Sequence, residues 1–273
     1  MIEVLPFIVA PATACLVLSV TMAYFGLHVL RREIIFIDLS MAQLAALGTT
    51  LAFVMDMPLD SMASQILSLV LIIAGACFFS FVRFVTLKVP QEAIIGIIYV
   101  VSSALAILVV DQTPHGAEHI KSLLNGSILW ISWMGVLKLT GVCVLVGGFH
   151  WKFQHRFLEI SKHYREKFSK NQIGWDFLFY LSLGLVVVFS VKSAGIFLIF
   201  SFLIIPASCG LIFSNSFFNQ WIIGTVVGTM GSILGIAFST VSDLPTGSSL
   251  VTVLGVLFFI SLPLSKIQKK RDS

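Results

Sequence analysis

Nine apolar runs of about 18 to 24 residues follow one another along the chain, each matching the ~20 residues a helix needs to cross hydrocarbon. They fall near 5–27, 34–54, 64–85, 93–110, 127–149, 173–191, 194–213, 219–241 and 247–265, with eight spans as the alternative count. The expected fold class is therefore all-α, a polytopic membrane helix bundle of about 8–9 transmembrane helices, forming a single domain over 1–273. No separate soluble domain fits between the runs. Composition agrees, since 58% of residues are hydrophobic and 11% charged, far from the balance of a soluble protein. The opening MIEVLPF carries no basic stretch ahead of its apolar run, so that run reads as a retained first span and not as a signal peptide. Cys15, Cys77, Cys143 and Cys209 all lie in apolar segments without metal-type or disulfide-type spacing and read as small hydrophobes.

Lys and Arg gather on the cytoplasmic face of a bilayer, which assigns the loops to sides. With the tail KIQKKRDS inside, every one of the 17 Lys and Arg residues falls inside except Lys121, Lys192 and the intraspan Lys138. Nine spans with an exterior N-terminus and a cytoplasmic C-terminus satisfy that distribution. The exterior loops then hold Glu3, Asp56, Asp60, Asp111, Glu118 and Asp243, which either favours an arriving cation or reflects orientation chemistry alone. On the inner side, residues 150–172 interleave Trp151, Phe153, Phe157, Leu158, Ile160, Tyr164 and Phe168 with Lys, Arg and His. This is a cytoplasmic basic amphipathic loop containing a short surface helix, suited to docking a partner or to snorkelling into headgroups.

Several chemistries are excluded by what the chain lacks. No G-x-x-x-x-G-K-[ST] loop and no Gly-Lys pair occurs, so ATP is not bound by that route. HGAEH (115–119) has histidines at i and i+4 but no Glu in the second place, so it is not a zinc-hydrolase helix. No G-x-S-x-G nucleophile elbow is present. The chain is expected not to be an enzyme and to bind no cofactor and no nucleic acid.

Polar residues set among apolar ones are the candidates for function. Asp38 and Gln43 lie inside IFIDLSMAQLAALGTTLAF (35–53), about 6 Å and 13 Å above the inner boundary if the span starts near Ile34. Ionisable and amide groups at such depths face protein or water. Their spacing turns them about 140° apart, so they need not share a face. Asp38 either pairs with Arg31 or Arg32 or lines a path, and Gln43 either bonds between helices or lines the same path. His115 and His119 share a helical face near Asp111 and Glu118, a donor set suited to a borderline divalent metal or simply a polar surface loop. Pro206, inside a span, removes a backbone hydrogen bond and bends the helix.

Taken in order, several segments resemble the permease subunit of zinc-, manganese- or iron-type ABC importers. GLHVLRREIIFIDLSMAQLAALG (26–48) resembles that family's basic pair and second span, and PQEAIIGI (90–97) its E-D-T-A-I-G-I. EHIKSLLNGSILWIS (118–132) and SAGIFLIFSFLIIPASCGLIF (193–213) resemble two further family segments. SDLPTGSSL (242–250) resembles the D-L-P-T-G-P that opens the last span and is the most specific element. The resemblance implies a transmembrane permease domain over the whole chain, in a bacterial-type plasma (inner) membrane. It also implies a second permease copy around a central path, an extracytoplasmic metal-binding protein, and a separate ABC ATPase subunit that uses the ATP.

The implied translocation path comprises Asp38, Gln43 and Glu92, with Asp111, His115, Glu118 and His119 at the outer mouth or a docking surface. Asp38, Gln43, His115 and His119 are the implied metal-contacting residues. Phe153, Phe157, Leu158 and Glu159 stand, by position, at the ATPase contact. The resemblance has one departure in its second span. With Phe36 and Gly48 aligned, Leu39 stands at the family's Asp and Gln43 at its His, so the paired intramembrane ligands are absent in that register. A secondary ion-coupled transporter and a membrane-embedded enzyme are the competing classes; the first usually shows paired broken helices, the second a converging nucleophile or metal site, and neither is legible.

Overall fold

The computed structural model describes residues 5–58, 61–83, 88–111, 116–164 and 170–271. These form α1 (Leu5–Arg32), α2 (Ile37–Val54), α3 (Met62–Val82), α4 (Gln91–Val110), α5 (Gly116–Asn125), α6 (Trp133–Lys152), α7 (Gln154–Lys162), α8 (Lys170–Ala194), α9 (Ile196–Phe213), α10 (Phe217–Ser242) and α11 (Thr246–Arg271). A 3₁₀ turn, Ile128–Trp130, precedes α6. Among the described residues nine helices are long and apolar enough to cross a membrane, all but α5 and α7. The count among the described residues is thus nine, and the fold is all-helical. The sequence boundaries shift where polar residues are helical: α5 lies in a stretch read as loop, α6 starts at Trp133 and not near 127, and α11 continues past the apolar run.

Two compact units divide the chain, one made of Met1–Leu30, Asn125–Cys143 and Ser193–Ser273, the other of Arg31–Leu124 and Val144–Lys192. In the first, α9, α10 and α11 pack on one another. Glycines on α10 let neighbours close in: a Cβ at Gly224 would lie 2.9 Å from the Pro206 carbonyl oxygen, at Gly228 2.9 Å from Ser19 Oγ, and at Gly235 2.8 Å from Leu250 Cα. Small residues at such contacts supply the close van der Waals packing that joins helices where burial from water does not. Pro206 therefore sits inside α9 against the α10 glycines. Trp221 ties α10 to α1 by donating from Nε1 to the Val20 carbonyl at 2.8 Å.

Three of the motif segments meet in this unit through their backbones. Gly126 has φ +66°, and a Cβ there would overlap the Ala194 and Gly195 backbone; only glycine takes that conformation and approach without strain. Ser127 N–H donates to the Ser193 carbonyl at 2.9 Å, and Gly247 lies against the Asn125 carbonyl. Asp243 ends α10 in the left-handed region, and Ser239 Oγ, 2.7 Å from the Leu244 carbonyl and 2.9 Å from Thr246 Oγ1, holds the turn into α11. The segments at 118–132, 193–213 and 242–250 thus touch through Gly126, Ser127, Ser193 and Gly247.

In the second unit α2 packs on α3 and α4. A Cβ at Gly48 would come within 2.5 Å of Ser68 Cα, and Ser68 Oγ donates to the Ala45 carbonyl at 3.0 Å. Met41 reaches toward Gly75 on α3 and Gly184 on α8, where a Cβ would stand 3.6 Å from its Sδ in each case. The alanines and glycine of α2 are what bring this helix so close to its neighbours.

Candidate functional site

Asp38 and Gln43 occupy the first and second turns of α2 and both are buried. Asp38 has no solvent exposure, and neither carboxylate oxygen has a hydrogen-bond partner among the described residues. Of the two readings of Asp38, pairing with Arg31 or Arg32 does not occur among the described residues, and Arg32 is held by Asp176. Gln43 is 6% exposed. Glu92 stands at the start of α4, where Oε1 accepts from the Phe36 N–H at 3.0 Å. That bond satisfies one of the amides left open at the N-terminus of α2 and places negative charge at the positive end of the helix. Ser40 Oγ donates to the Ile95 carbonyl at 2.7 Å and adds a second tie between the same helices. Glu92 thus positions α2, the helix that carries both polar candidates.

A second polar centre went unseen in the sequence. Asp176 on α8 receives Arg32 Nη1 at 3.0 Å on one oxygen and Arg83 Nη1 at 2.6 Å on the other, and neither Arg32 nor Asp176 is exposed. Arg32 Nε also donates to Ser161 Oγ on α7 at 2.9 Å. Two guanidiniums on one carboxylate leave an excess of positive charge, which aromatic faces offset: Arg32 Cζ lies 3.9 Å from the Phe179 ring centroid and Arg83 Cζ 3.6 Å from that of Tyr164. The Tyr164 hydroxyl donates to Gln91 Oε1 at 2.9 Å and lies 2.8 Å from the Tyr180 hydroxyl, while Gln91 Nε2 donates to Tyr180 at 3.1 Å. Burial raises the Tyr164 phenol above its ordinary range, and the Asp176 carboxylate adds to the rise. The phenol accordingly stays protonated, and able to donate, through neutral and moderately alkaline pH. One signal could have revealed this centre: Asp176 is a carboxylate near the start of an apolar run, and such residues almost always have a partner.

The short helix expected within 150–172 is α7, and its phase sorts the four residues assigned to the ATPase contact. Phe157 is fully buried, stacked on His150 with ring centroids 4.1 Å apart and 12° between planes, with Trp175 edge-on at 5.6 Å. It is therefore an internal anchor and not a surface contact, which corrects its expected role. Phe153 is half-buried, 5.3 Å from Trp175 between ring centroids, and Leu158 is also half-buried. Glu159 is exposed together with His155, Arg156 and Lys162. His150, itself buried, has Nε2 2.8 Å from Ser182 Oγ on α8, so the ring that stacks on α7 is fixed from below.

Comparison with known proteins fits this framework. A family model described as the ABC 3 transport family matches residues 4–265. The chain belongs to the ABC 3 transport family. It is a multi-pass membrane protein of that family, as its nine long apolar helices require. The manganese transport system membrane protein MntC of Listeria monocytogenes is 24% identical over 178 residues, 64% of this chain and 62% of the relative. A probable iron transport system membrane protein of Haemophilus influenzae is 24% identical over 177 residues, with the same shares of the two chains. Each match spans less than two thirds of the relative's length. The solved structure of PsaBC from Streptococcus pneumoniae in complex with Fab has the same fold, with a TM-score of 0.76 at 21% identity over 95% of this chain and 93% of that one.

The outer candidates lie at the end of α4 and on α5 in this ABC 3 transport family member. Asp111 is exposed at the end of α4, and its N–H donates to the Ile107 carbonyl at 3.0 Å. Glu118 is exposed in the first turn of α5. His119 lies on α5, and His115 falls outside the described residues. No group of three His, Cys, Asp or Glu side chains is close enough to hold a metal ion among the described residues. Leu39 is half-buried beside Asp38.

Proposed function

We propose that the chain is the membrane-spanning permease of an ATP-driven importer of divalent metal cations, working as a pair of copies around a path and powered by a separate ATPase. An extracytoplasmic binding protein would deliver the cation, and the C-terminus would face the cytoplasm. The observation that carries this reading is the family match across nearly the whole chain, joined by relatives named for manganese and iron transport. Asp38 and Gln43 support it, because a carboxylate without a partner and an amide, both buried in a spanning helix, are costly unless they serve passage. Glu92 serves the path by holding α2 in place. Asp111, His115, Glu118 and His119 remain the candidates for the outer mouth, and Phe153, Leu158 and Glu159 for the ATPase contact.

The donors on α2 are oxygens without an imidazole or thiolate partner at the family's second position. Oxygen donors suit manganese better than zinc. Manganese is therefore the cargo we assign. Replacing Gln43 with Leu keeps the volume and removes the amide, and is expected to lower manganese uptake by about tenfold, the scale on which removing a group around a bound metal acts. The measurement is radiolabelled manganese uptake into vesicles, with assembly of the complex checked by co-purification. Unchanged uptake in the variant would remove Gln43 from the path; zinc preferred over manganese by the wild type would overturn the choice of cargo.

A further inference from the structure

The polar centre at Asp176 and the cap on α2 meet at two adjacent residues. Gln91 bonds Tyr164 and Tyr180, and its Nε2 also lies 3.4 Å from the Phe79 carbonyl. Its neighbour Glu92 accepts from Phe36 N–H at 3.0 Å, directly before α2 begins at Ile37. Tyr164 follows α7 closely, and it is clamped by the Arg83 guanidinium, which donates to its carbonyl and lies over its ring. Ser161, on the last turn of α7, is bound to Arg32. An unbroken line of hydrogen bonds and packed rings therefore runs from the end of α7, through the first turn of α4, to the first turn of α2. Every member of that line belongs to the same compact unit.

We infer that Gln91 and Glu92 form a relay that ties the position of α7 to the N-terminal turn of α2. Gln91 reads where Tyr164 stands, and Glu92, one residue on in the same helix, holds the amide end of α2. A displacement of α7 strains the bond from Tyr164 to Gln91, while Tyr180 on α8 holds the other end of the amide. Since α4 is a continuous helix, that strain reaches Glu92 without passing through lipid or solvent. The consequence for transport rests on the permease reading: a push on the exposed side of α7 would move the helix that carries Asp38 and Gln43. The relay residues act here as positioning residues.

The mechanical part is testable without transport, by hydrogen–deuterium exchange on the full-length protein in lipid nanodiscs. Tyr164→Phe deletes the hydroxyl that donates to Gln91 and leaves the ring over which Arg83 sits. Exchange in the first turn of α2 is expected to rise about fivefold, the equivalent of one ordinary hydrogen bond lost. Gln91→Met deletes the same bond from the other side and is expected to do the same. Glu92→Leu should raise exchange at the start of α2 while leaving α7 unchanged, and Tyr164→Phe added to it should produce no further rise in α2. Exchange that rises in α7 alone after Tyr164→Phe would overturn the relay, and so would a rise in α2 that persists at full size on top of Glu92→Leu.

In the reconstituted complex, Tyr164→Phe is expected to lower metal taken up per ATP hydrolysed by roughly threefold with the complex intact, a ratio that simple loss of folded protein would not change. A wild-type complex that moves no metal with ATP would end the permease reading and leave the exchange result standing.

Discussion

Asp176→Ala is expected to destabilise the protein by about 3–5 kcal/mol, the scale for removing one partner from a buried ionic cluster. The carboxylate stands 3.0 Å from one guanidinium and 2.6 Å from another, and the Arg32 side chain has no exposure to water. Without Asp176, two cations are left in a low-dielectric site with ring faces, the Ser161 hydroxyl and the Tyr164 carbonyl in place of the counter-charge. Heating the detergent-solubilised protein and following the monodisperse fraction would reveal the loss as a large fall in melting temperature. The triple variant Arg32→Met, Arg83→Met, Asp176→Leu should recover most of that loss, because an apolar cluster of similar volume carries no desolvation penalty. Asp176→Ala melting like the wild type would show that the charges are not paired in the membrane.

Gly26→Val is the second severe change. A Cβ at this position of α1 would overlap the Leu203 carbonyl oxygen and approach Ala207 Cβ to 2.8 Å. The obstacle is mostly backbone of α9, which cannot swing aside as a long side chain can. The cost is expected to exceed about 3 kcal/mol, beyond the usual range for an overpacked core because two helices would have to part. Gly141→Ala is the control, since a Cβ there meets nothing within 4 Å; its effect should stay within about 0.5 kcal/mol. The pair is measured in one melting series. Equal melting of the two variants would mean that α1 and α9 are not in contact at Gly26.

The fold was readable because hydrocarbon imposes a length on each helix, and residues such as those of Gln91–Val110 and Ile196–Phe213 meet it with almost no polar interruption. Hydropathy says nothing, however, of helices that lie outside the apolar runs. GAEHIKSLLN mixes charges with leucines and falls between apolar runs, yet it forms α5. Candidate residues stand out only where a polar residue is alone among apolar ones. Asp38 and Gln43 do so, but the partner of Arg32 does not. Asp176 lies 144 residues from Arg32, and no local pattern links them. Phe157 shows the same limit at smaller scale. Its place in an amphipathic helix was apparent from spacing, but which side of that helix turns inward depends on His150 and Trp175, both outside it. Glu92 stands among the path residues that the resemblance implies, whereas its service as the cap of α2 arises only once two spans lie side by side.

The most direct test is manganese uptake into liposomes holding the permease and its ATPase, with the binding protein supplied outside. Manganese that enters only when ATP is hydrolysed and all three proteins are present is the predicted result. Manganese that enters through this chain alone, driven by a proton or sodium gradient and indifferent to ATP, would contradict it.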